Sequence, residues 1–260
     1  MTRRRTLWIA LAAMAGAGMR IDAAGPPLDP RRIVDLTYTL GPDTPYWPGG
    51  KYHPFKSEAI ATLDADGVYS RAYCTPEHLG THLDAPNHFE KGQIAIDQIP
   101  LADLMAPAVV LDISEKAAKD ADALLTLEQL RAWEARHGQV PKGSIVLLRT
   151  GWGRRAADAV SYRNMDPEGR LHFPSFASDA ATYLVGPREA KALGIDTLSI
   201  DAGISKDFPV HHVVNAAGRY GLENLANLEK LPATGAYLIV APMKIGGGTG
   251  GQARVFALLP

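Results

Sequence analysis

The residues EHLGTHLDAPNHF, 77 to 89, place three histidines and one aspartate within eleven positions, around a Gly-Thr and a Pro, in a chain that has eight histidines in all. A continuous helix is excluded here, because Gly80 weakens and Pro86 breaks the hydrogen-bond ladder. The spacing predicts a turn at His78-Leu79-Gly80 and an extended run through Thr81-His82-Leu83-Asp84. Side chains two apart on an extended chain share a face, so His82 and Asp84 point together while Leu83 enters the core, and the turn is placed to bring His78 beside them. Two neutral imidazoles and one carboxylate at one locus are what a divalent transition metal with open coordination positions requires. His88, past Pro86, lies off that strand. Its imidazole, with an unperturbed pKa of about 6.5, both accepts and donates a proton near neutrality, which makes it the candidate acid/base; support of a ligand from outside the coordination sphere is the alternative.

Around this stretch, short apolar or β-branched runs bounded by Pro, Gly or charge read as strands: AVVLDI (108–113), SIVLLRT (144–150), TLSID (197–201), AYLIVAP (236–242) and ARVFALL (253–259). Three helices sit between them. Thr126 caps LEQLRAWEARH, with Gln129 as capping-box partner and Gly138 as the stop. A second helix covers SDAATYLV from Ser178, and a third PREAKAL from Pro187, ended by Gly194. Strands and helices mix without strict alternation, which gives an α/β or α+β class with a mixed sheet. No repeat or linker divides the chain, so one domain is expected over 26–260. The GGGTGG stretch (246–251) lacks the Lys-Ser/Thr of a phosphate loop and precedes a strand, so it reads as a glycine-rich hairpin or a loop lining a pocket.

With 27 Lys+Arg against 28 Asp+Glu the net charge is -1, so no basic field exists to hold nucleic acid or an anionic membrane surface, and a small-molecule partner is expected. Arg3, Arg4 and Arg5 precede an apolar run from Leu7 to Met19 and the small residues Ala23, Ala24 and Gly25, the layout of an export signal over 1–25. That run falls short of the roughly 20 residues a bilayer span needs, and the consecutive arginines loosely resemble a twin-arginine signal, so a periplasmic location is expected. Cys74 is the only cysteine, which excludes an intramolecular disulfide and a thiolate metal cluster, and a free cysteine is expected to be buried.

The pattern His78-x-Gly80-Thr81-His82-x-Asp84-x-Pro86-x-His88-Phe89 resembles the signature of the cyclase superfamily of metal-dependent hydrolases, the group that includes bacterial kynurenine formamidase and isatin hydrolase. TPYWPG (44–49), SIDAGISKDFPVHH (199–212), GLENLANLEKLP (221–232) and APMKIGGGTGG (241–251) are similar to its other blocks. The resemblance implies a compact α/β domain around a mixed, barrel-like β-sheet flanked by helices, of the swivelling β/β/α type. It implies His78, His82 and Asp84 as ligands of a divalent metal and His88 as acid/base. In members with two zinc ions the aspartate bridges them, and a later histidine and a glutamate twelve positions on hold the second. Glu223 stands in the family's Leu-Glu-Asn context, which picks His211, with the adjacent His212 as the alternative. Members with a single manganese leave Glu223 and His211 an outer role.

A bound Zn²⁺ or Mn²⁺ lowers the pKa of its water towards neutrality and polarises a carbonyl, so the implied reaction is hydrolysis of a C–N bond in an aryl formamide or an isatin-like lactam, with His88 carrying the proton to the leaving nitrogen. Trp47, Phe89 and Phe208 suit a flat aryl substrate or, equally, plain core packing. The rival is a periplasmic protein that binds a metal or a carboxylated ligand without catalysis, against which His88 stands as an additional proton carrier. A structural zinc site would favour thiolates over Asp84 and Glu223. By resemblance alone the chain is expected to be a homodimer or homotetramer.

Overall fold

The computed structural model describes residues 29–260; the expected export signal, 1–25, lies outside them. The strands are β1 (Ile33–Asp35), β2 (Lys56–Ala61), β3 (Ser70–Cys74), β4 (His82–Asp84), β5 (Met105–Asp112), β6 (Leu124–Leu125), β7 (Ile145–Arg149), β8 (Ser175–Phe176), β9 (Ala192–Ile195), β10 (Tyr220–Glu223), β11 (Tyr237–Pro242) and β12 (Gly250–Leu258). The helices are α1 (Leu63–Asp66), α2 (Ser114–Ala117), α3 (Leu127–His137), α4 (Ala159–Arg163), α5 (Ser178–Val185) and α6 (Pro209–Ala216).

Seven strands close on themselves in the order β12-β11-β5-β7-β9-β10-β4, with β4 pairing back onto β12. β5, β7, β9 and β10 run parallel to their neighbours in that group, whereas β4, β11 and β12 join antiparallel, so the barrel is mixed. β1 extends one edge of β12 beyond the stretch that β4 occupies. The alternation of strand side chains sorts the core into two layers. Leu83, Val110, Leu147, Leu222, Leu238 and Val255 fill the lumen, while Val109, Leu111, Val146, Leu148, Leu193 and Ile195 pack outward with residues of α3, α5 and α6. β7 is apolar on both faces for this reason. No helix of the described residues is long and apolar enough to cross a membrane.

The capping box on Thr126 and Gln129 forms, and α3 stops at Gly138 at φ +87°. GGGTGG is the connection between antiparallel β11 and β12, with its last two glycines already in β12. Three expectations are corrected. The segment from Pro187 is no helix: Pro187 follows the end of α5, Glu189 sits at φ +48°, and Ala192–Ile195 becomes a buried strand between β7 and β10. Gly194 is therefore a strand residue, and a Cβ there would lie 2.7 Å from Leu147 Cδ2 and 2.9 Å from Leu225 Cδ1. TLSID is irregular, since the Thr197 hydroxyl donates to the Ser199 carbonyl (2.9 Å) and the Ser199 hydroxyl accepts from the Asp201 N–H (3.1 Å), local bonds that compete with a ladder. Cys74 is exposed, because β2 and β3 form a separate two-stranded hairpin outside the barrel.

Candidate metal centre

The 77–89 stretch folds as its pattern predicts. Gly80 turns at φ +69°, and the Thr81 hydroxyl donates to the Asn224 carbonyl (2.6 Å) while accepting from the Tyr38 N–H (3.0 Å), which pins the turn to the segment after β10. In β4, Leu83 enters the lumen while His82 and Asp84 face out. A turn through Ala85-Pro86-Asn87, closed by the His88 N–H on the Ala85 carbonyl (2.9 Å), brings the His88 ring back to stack on His78 at 3.8 Å between centroids. β10 lies against β4 with Glu223 opposite His82. The last contributor is α6. Its first residue, Pro209, has no N–H, and the remote Asp201 satisfies the next two, accepting from Val210 (2.8 Å) and His211 (3.0 Å).

Five side chains thus meet. His78 Nδ1 lies 2.5 Å and His82 Nε2 3.1 Å from Asp84 Oδ1; His211 Nε2 lies 3.4 Å from Asp84 Oδ2 and 3.3 Å from Glu223 Oε1; His82 Nε2 lies 3.4 Å from Glu223 Oε2. The cluster falls into two groups that share Asp84: His78, His82, Asp84 and Asp84, His211, Glu223. His212 points elsewhere, half-exposed with its Nδ1 2.8 Å from Glu90, so His211 is the member of the pair brought to the cluster.

The donor set fits a divalent cation on three counts. Two buried polar atoms, His82 Nε2 and Asp84 Oδ2, have no hydrogen-bond partner, and both face the cluster. Four of the five donor separations, 3.1 to 3.4 Å, match the edges, about 3.4 Å, of a tetrahedron with bonds of about 2.1 Å, whereas His78 Nδ1 and Asp84 Oδ1, at 2.5 Å, stand closer than such an edge. The outer partners hand inward the nitrogens a metal needs: a carbonyl only accepts, so His82 Nδ1 donates to Gly80 O (2.8 Å), and His211 Nδ1 donates to Asp201 Oδ2 (2.7 Å), leaving both Nε2 lone pairs on the cluster.

Electrostatics agree. Burial opposes charge on His82, yet Asp84 and Glu223 raise its pKa to about 9; burial is likewise outweighed at His211, where Asp201, Asp84 and Glu223 hold the pKa well above the usual imidazole range. Burial works against the Asp84 carboxylate, but the surrounding histidines hold its pKa well down, while burial and the Asp84 charge push Glu223 up. Two buried carboxylates here call for two positive charges, which one divalent cation supplies without a proton on either ring. His88 behaves oppositely: burial, opposed by Asp84 and reinforced by the three other histidines, lowers its pKa to about 3.

The cluster opens into a cavity of about 270 Å³ lined by Trp47, Phe89 and Phe208, with His88 beside them. Phe208 lies 5.8 Å from Trp47 and 5.4 Å from Phe89, so the three aromatics are neighbours there. Sequence reasoning missed Asp201, and it also missed Tyr52 and Ser199, which line the same cavity. Burial, with the charges of Asp84 and Glu223, raises the Tyr52 pKa, so its phenol is a proton-bearing donor. The five-residue step from Trp47 to Tyr52 carried no local signal that could have marked it.

The sequence model of the Cyclase family matches residues 34–202, a span that holds His78, His82, Asp84 and His88. The chain is 38% identical over 243 residues to the isatin hydrolase of Roseibium aggregatum, covering 88% of this chain and 92% of that one. It is 29% identical to the kynurenine formamidase of Salinibacter ruber, over 85% and 95% of the two chains. In structure it is similar to isatin hydrolase A from Ralstonia solanacearum, with a TM-score of 0.83 at 39% identity over 88% and 92% of the two chains. Relatives and fold agree over 88% of the chain, the sequence model covers four of the seven barrel strands, β4, β5, β7 and β9, and the chain belongs to the Cyclase family.

Proposed function

We propose that this chain is a metal-dependent hydrolase that opens the C–N bond of an aryl-fused cyclic amide of the isatin type. The observation that carries the reading is a buried His/Asp/Glu cluster facing a cavity of about 270 Å³ walled by Trp47, Phe89 and Phe208. That volume lies at or below the small end of ligand pockets, roughly 300–1,000 Å³, which suits a flat bicyclic ring better than an extended chain. The nearer likeness to isatin hydrolases, 38–39% against 29% for the kynurenine formamidase, favours a lactam over an aryl formamide.

His78, His82, Asp84, His211 and Glu223 would hold the cation, Zn²⁺ or Mn²⁺, with Asp84 shared if there are two ions; their nitrogen and oxygen donors suit either metal. When bound, it supplies Lewis acidity that polarises the amide carbonyl and makes water more acidic. The chain's own groups do the rest. His88, whose burial favours the uncharged ring, takes a proton as water adds to the carbonyl carbon. The imidazolium so formed gives that proton to the nitrogen as the C–N bond breaks. Lactam and water thereby become one molecule bearing an arylamine and a carboxylic acid, which releases its proton to solvent at neutral pH. Trp47, Phe89 and Phe208 clamp the ring, and Tyr52 is a further donor at the cavity wall.

Elemental analysis of the purified protein, with turnover of isatin and N-formylkynurenine before and after chelation, tests this. Metal content of one or two ions and faster chelator-sensitive turnover of isatin are expected. Faster turnover of N-formylkynurenine would move the substrate to the formamide class, and bound metal without turnover of either would leave a binding protein. We also infer export through residues 1–25 and a homo-oligomer, the latter supported by exposed Ile60, Val68, Tyr69 and Tyr73 on and around the β2–β3 hairpin. N-terminal sequencing of the periplasmic fraction and light scattering check them.

A further inference from the structure

The glycine-rich loop and Glu77, the residue before the first histidine, have no part in that chemistry, yet they meet at its edge. Glu77 Oε2 accepts from the Thr249 backbone N–H (3.0 Å) and from the Thr249 hydroxyl (2.7 Å). A hydroxyl has one proton, and a carboxylate has none to return. The Thr249 oxygen, 3.0 Å from His78 Nε2, is therefore left as an acceptor, and Nε2 bears the ring proton. Asp84 Oδ1 lies 2.5 Å from Nδ1, a hydrogen-bond distance that needs a proton between the two until a cation takes its place, and Nδ1 is the nitrogen turned to the cluster. His78 is thus presented the opposite way round from His82 and His211, which turn Nε2 inward.

We propose that Glu77 and Thr249 are positioning residues that fix His78 as an Nδ1 ligand of the divalent cation, an inference that rests on the metal-hydrolase reading above. The loop's composition follows from the arrangement. A Cβ at Gly248 would lie 2.8 Å from Glu77 Oε1, and one at Gly250 would fall on the His78 ring and lie 2.6 Å from the Leu83 carbonyl. Only a loop without side chains at these positions lets the carboxylate, the hydroxyl and the ring line up.

The test uses the full chain with Zn²⁺ as probe, reading affinity by chelator competition and His78 by ¹⁵N-histidine NMR of the Zn²⁺-loaded protein. Thr249→Val removes the acceptor and is expected to weaken Zn²⁺ binding by roughly 10- to 100-fold, the usual effect of losing an outer partner of a ligand. Thr249→Ser keeps the hydroxyl and should bind as the wild type does. Glu77→Leu frees the hydroxyl proton to compete for Nε2, and comparable weakening is expected. In the wild type, NMR should show a protonated Nε2 and a metal-bound Nδ1. Wild-type affinity in both Thr249→Val and Glu77→Leu, or a metal-bound Nε2, overturns the inference while leaving the metal site standing. A wild type that binds no Zn²⁺ sinks the inference and the metal reading together. Tight binding without hydrolysis of any amide sinks only the proposed reaction.

Discussion

Gly194→Ala tests the element that sequence and structure describe differently. If residue 194 ended a helix in the left-handed conformation, alanine there would cost about 1 kcal/mol of backbone strain and leave the metal site untouched. In the barrel the cost comes from packing. The new methyl would sit 2.7 Å from Leu147 Cδ2, 2.9 Å from Leu225 Cδ1 and 3.3 Å from Leu222 Cβ. The two δ-methyls are ends of flexible side chains, but Leu147 and Leu225 are wholly buried, and protein interiors are packed about as densely as organic crystals. Overpacking of this kind costs about 1–3 kcal/mol. At about 2–4 °C per kcal/mol for a chain near this size, the melting temperature should fall by roughly 2–12 °C. Because Leu222 is the direct partner of Gly194 and precedes Glu223, displacement of β10 should also weaken metal binding. Thermal unfolding followed by circular dichroism, with a urea titration to check that the slope is unchanged, measures the first effect. An unchanged or raised midpoint would refute the close-packed strand.

His88→Ala should lower kcat by roughly 10²- to 10⁴-fold, the usual worth of acid/base catalysis, with metal content intact; loss of metal instead would put His88 among the ligands. Asp201→Asn leaves one oxygen for three donors, so at least one buried N–H is orphaned, at about 1–3 kcal/mol, and His211 loses its carboxylate partner; a lower melting temperature and weaker Zn²⁺ affinity are expected, and no change in either would dismiss the pairing. His172 bridges Asp122 (2.8 Å) and Asp166 (3.2 Å), and those hydrogen bonds raise its pKa. A raised folded-state pKa stabilises the fold fully below the unfolded value of about 6.5, while the aspartates stay ionised, and that contribution fades as pH climbs through the folded value. The melting-temperature gap between wild type and His172→Gln should therefore be widest near pH 5.5–6 and close in alkali; a gap independent of pH would rule out the ion pairs as its source.

The parts of the fold legible in the sequence are those whose signals are local. Thr126 with Gln129, the apolar run of β7 and the Gly80 turn each act within a few residues, and each forms where expected. β9 was illegible because ALGI is too short to show a period, and only its place between β7 and β10 makes it a strand. The same holds at the cluster. His82 and Asp84 share a face by pleat alone, whereas His211 takes its place from Asp201 capping α6 across an irregular segment. Cys74 turned out exposed because nothing local reveals that β2 and β3 pair with each other rather than with the barrel.

The position of the cluster follows from how the barrel closes. β4 is three residues long, yet it alone joins β10 to β12, so each of its residues has a cross-strand neighbour on both sides. For Asp84 those neighbours are Gly221 and Gly250. A Cβ at Gly221 would come within 3.0 Å of Asp84 Oδ2, and one at Gly250 would strike the His78 ring. For His82 they are Glu223, which supplies a second carboxylate, and Gln252, whose Nε2 donates to the Pro76 carbonyl (2.7 Å) and the Glu77 carbonyl (3.1 Å) and so ties down the chain entering the site. The register that shuts the barrel is therefore also the register that clears space around Asp84 and brings Glu223 to His82. Side chains on a strand have a period of two, so a slip of one residue at this seam would turn Asp84 and His82 into the lumen and Leu83 onto the site. Closure of the fold and assembly of the cluster are one structural event, which is why four of the chain's histidines, His78, His82, His88 and His211, crowd around its shortest barrel strand.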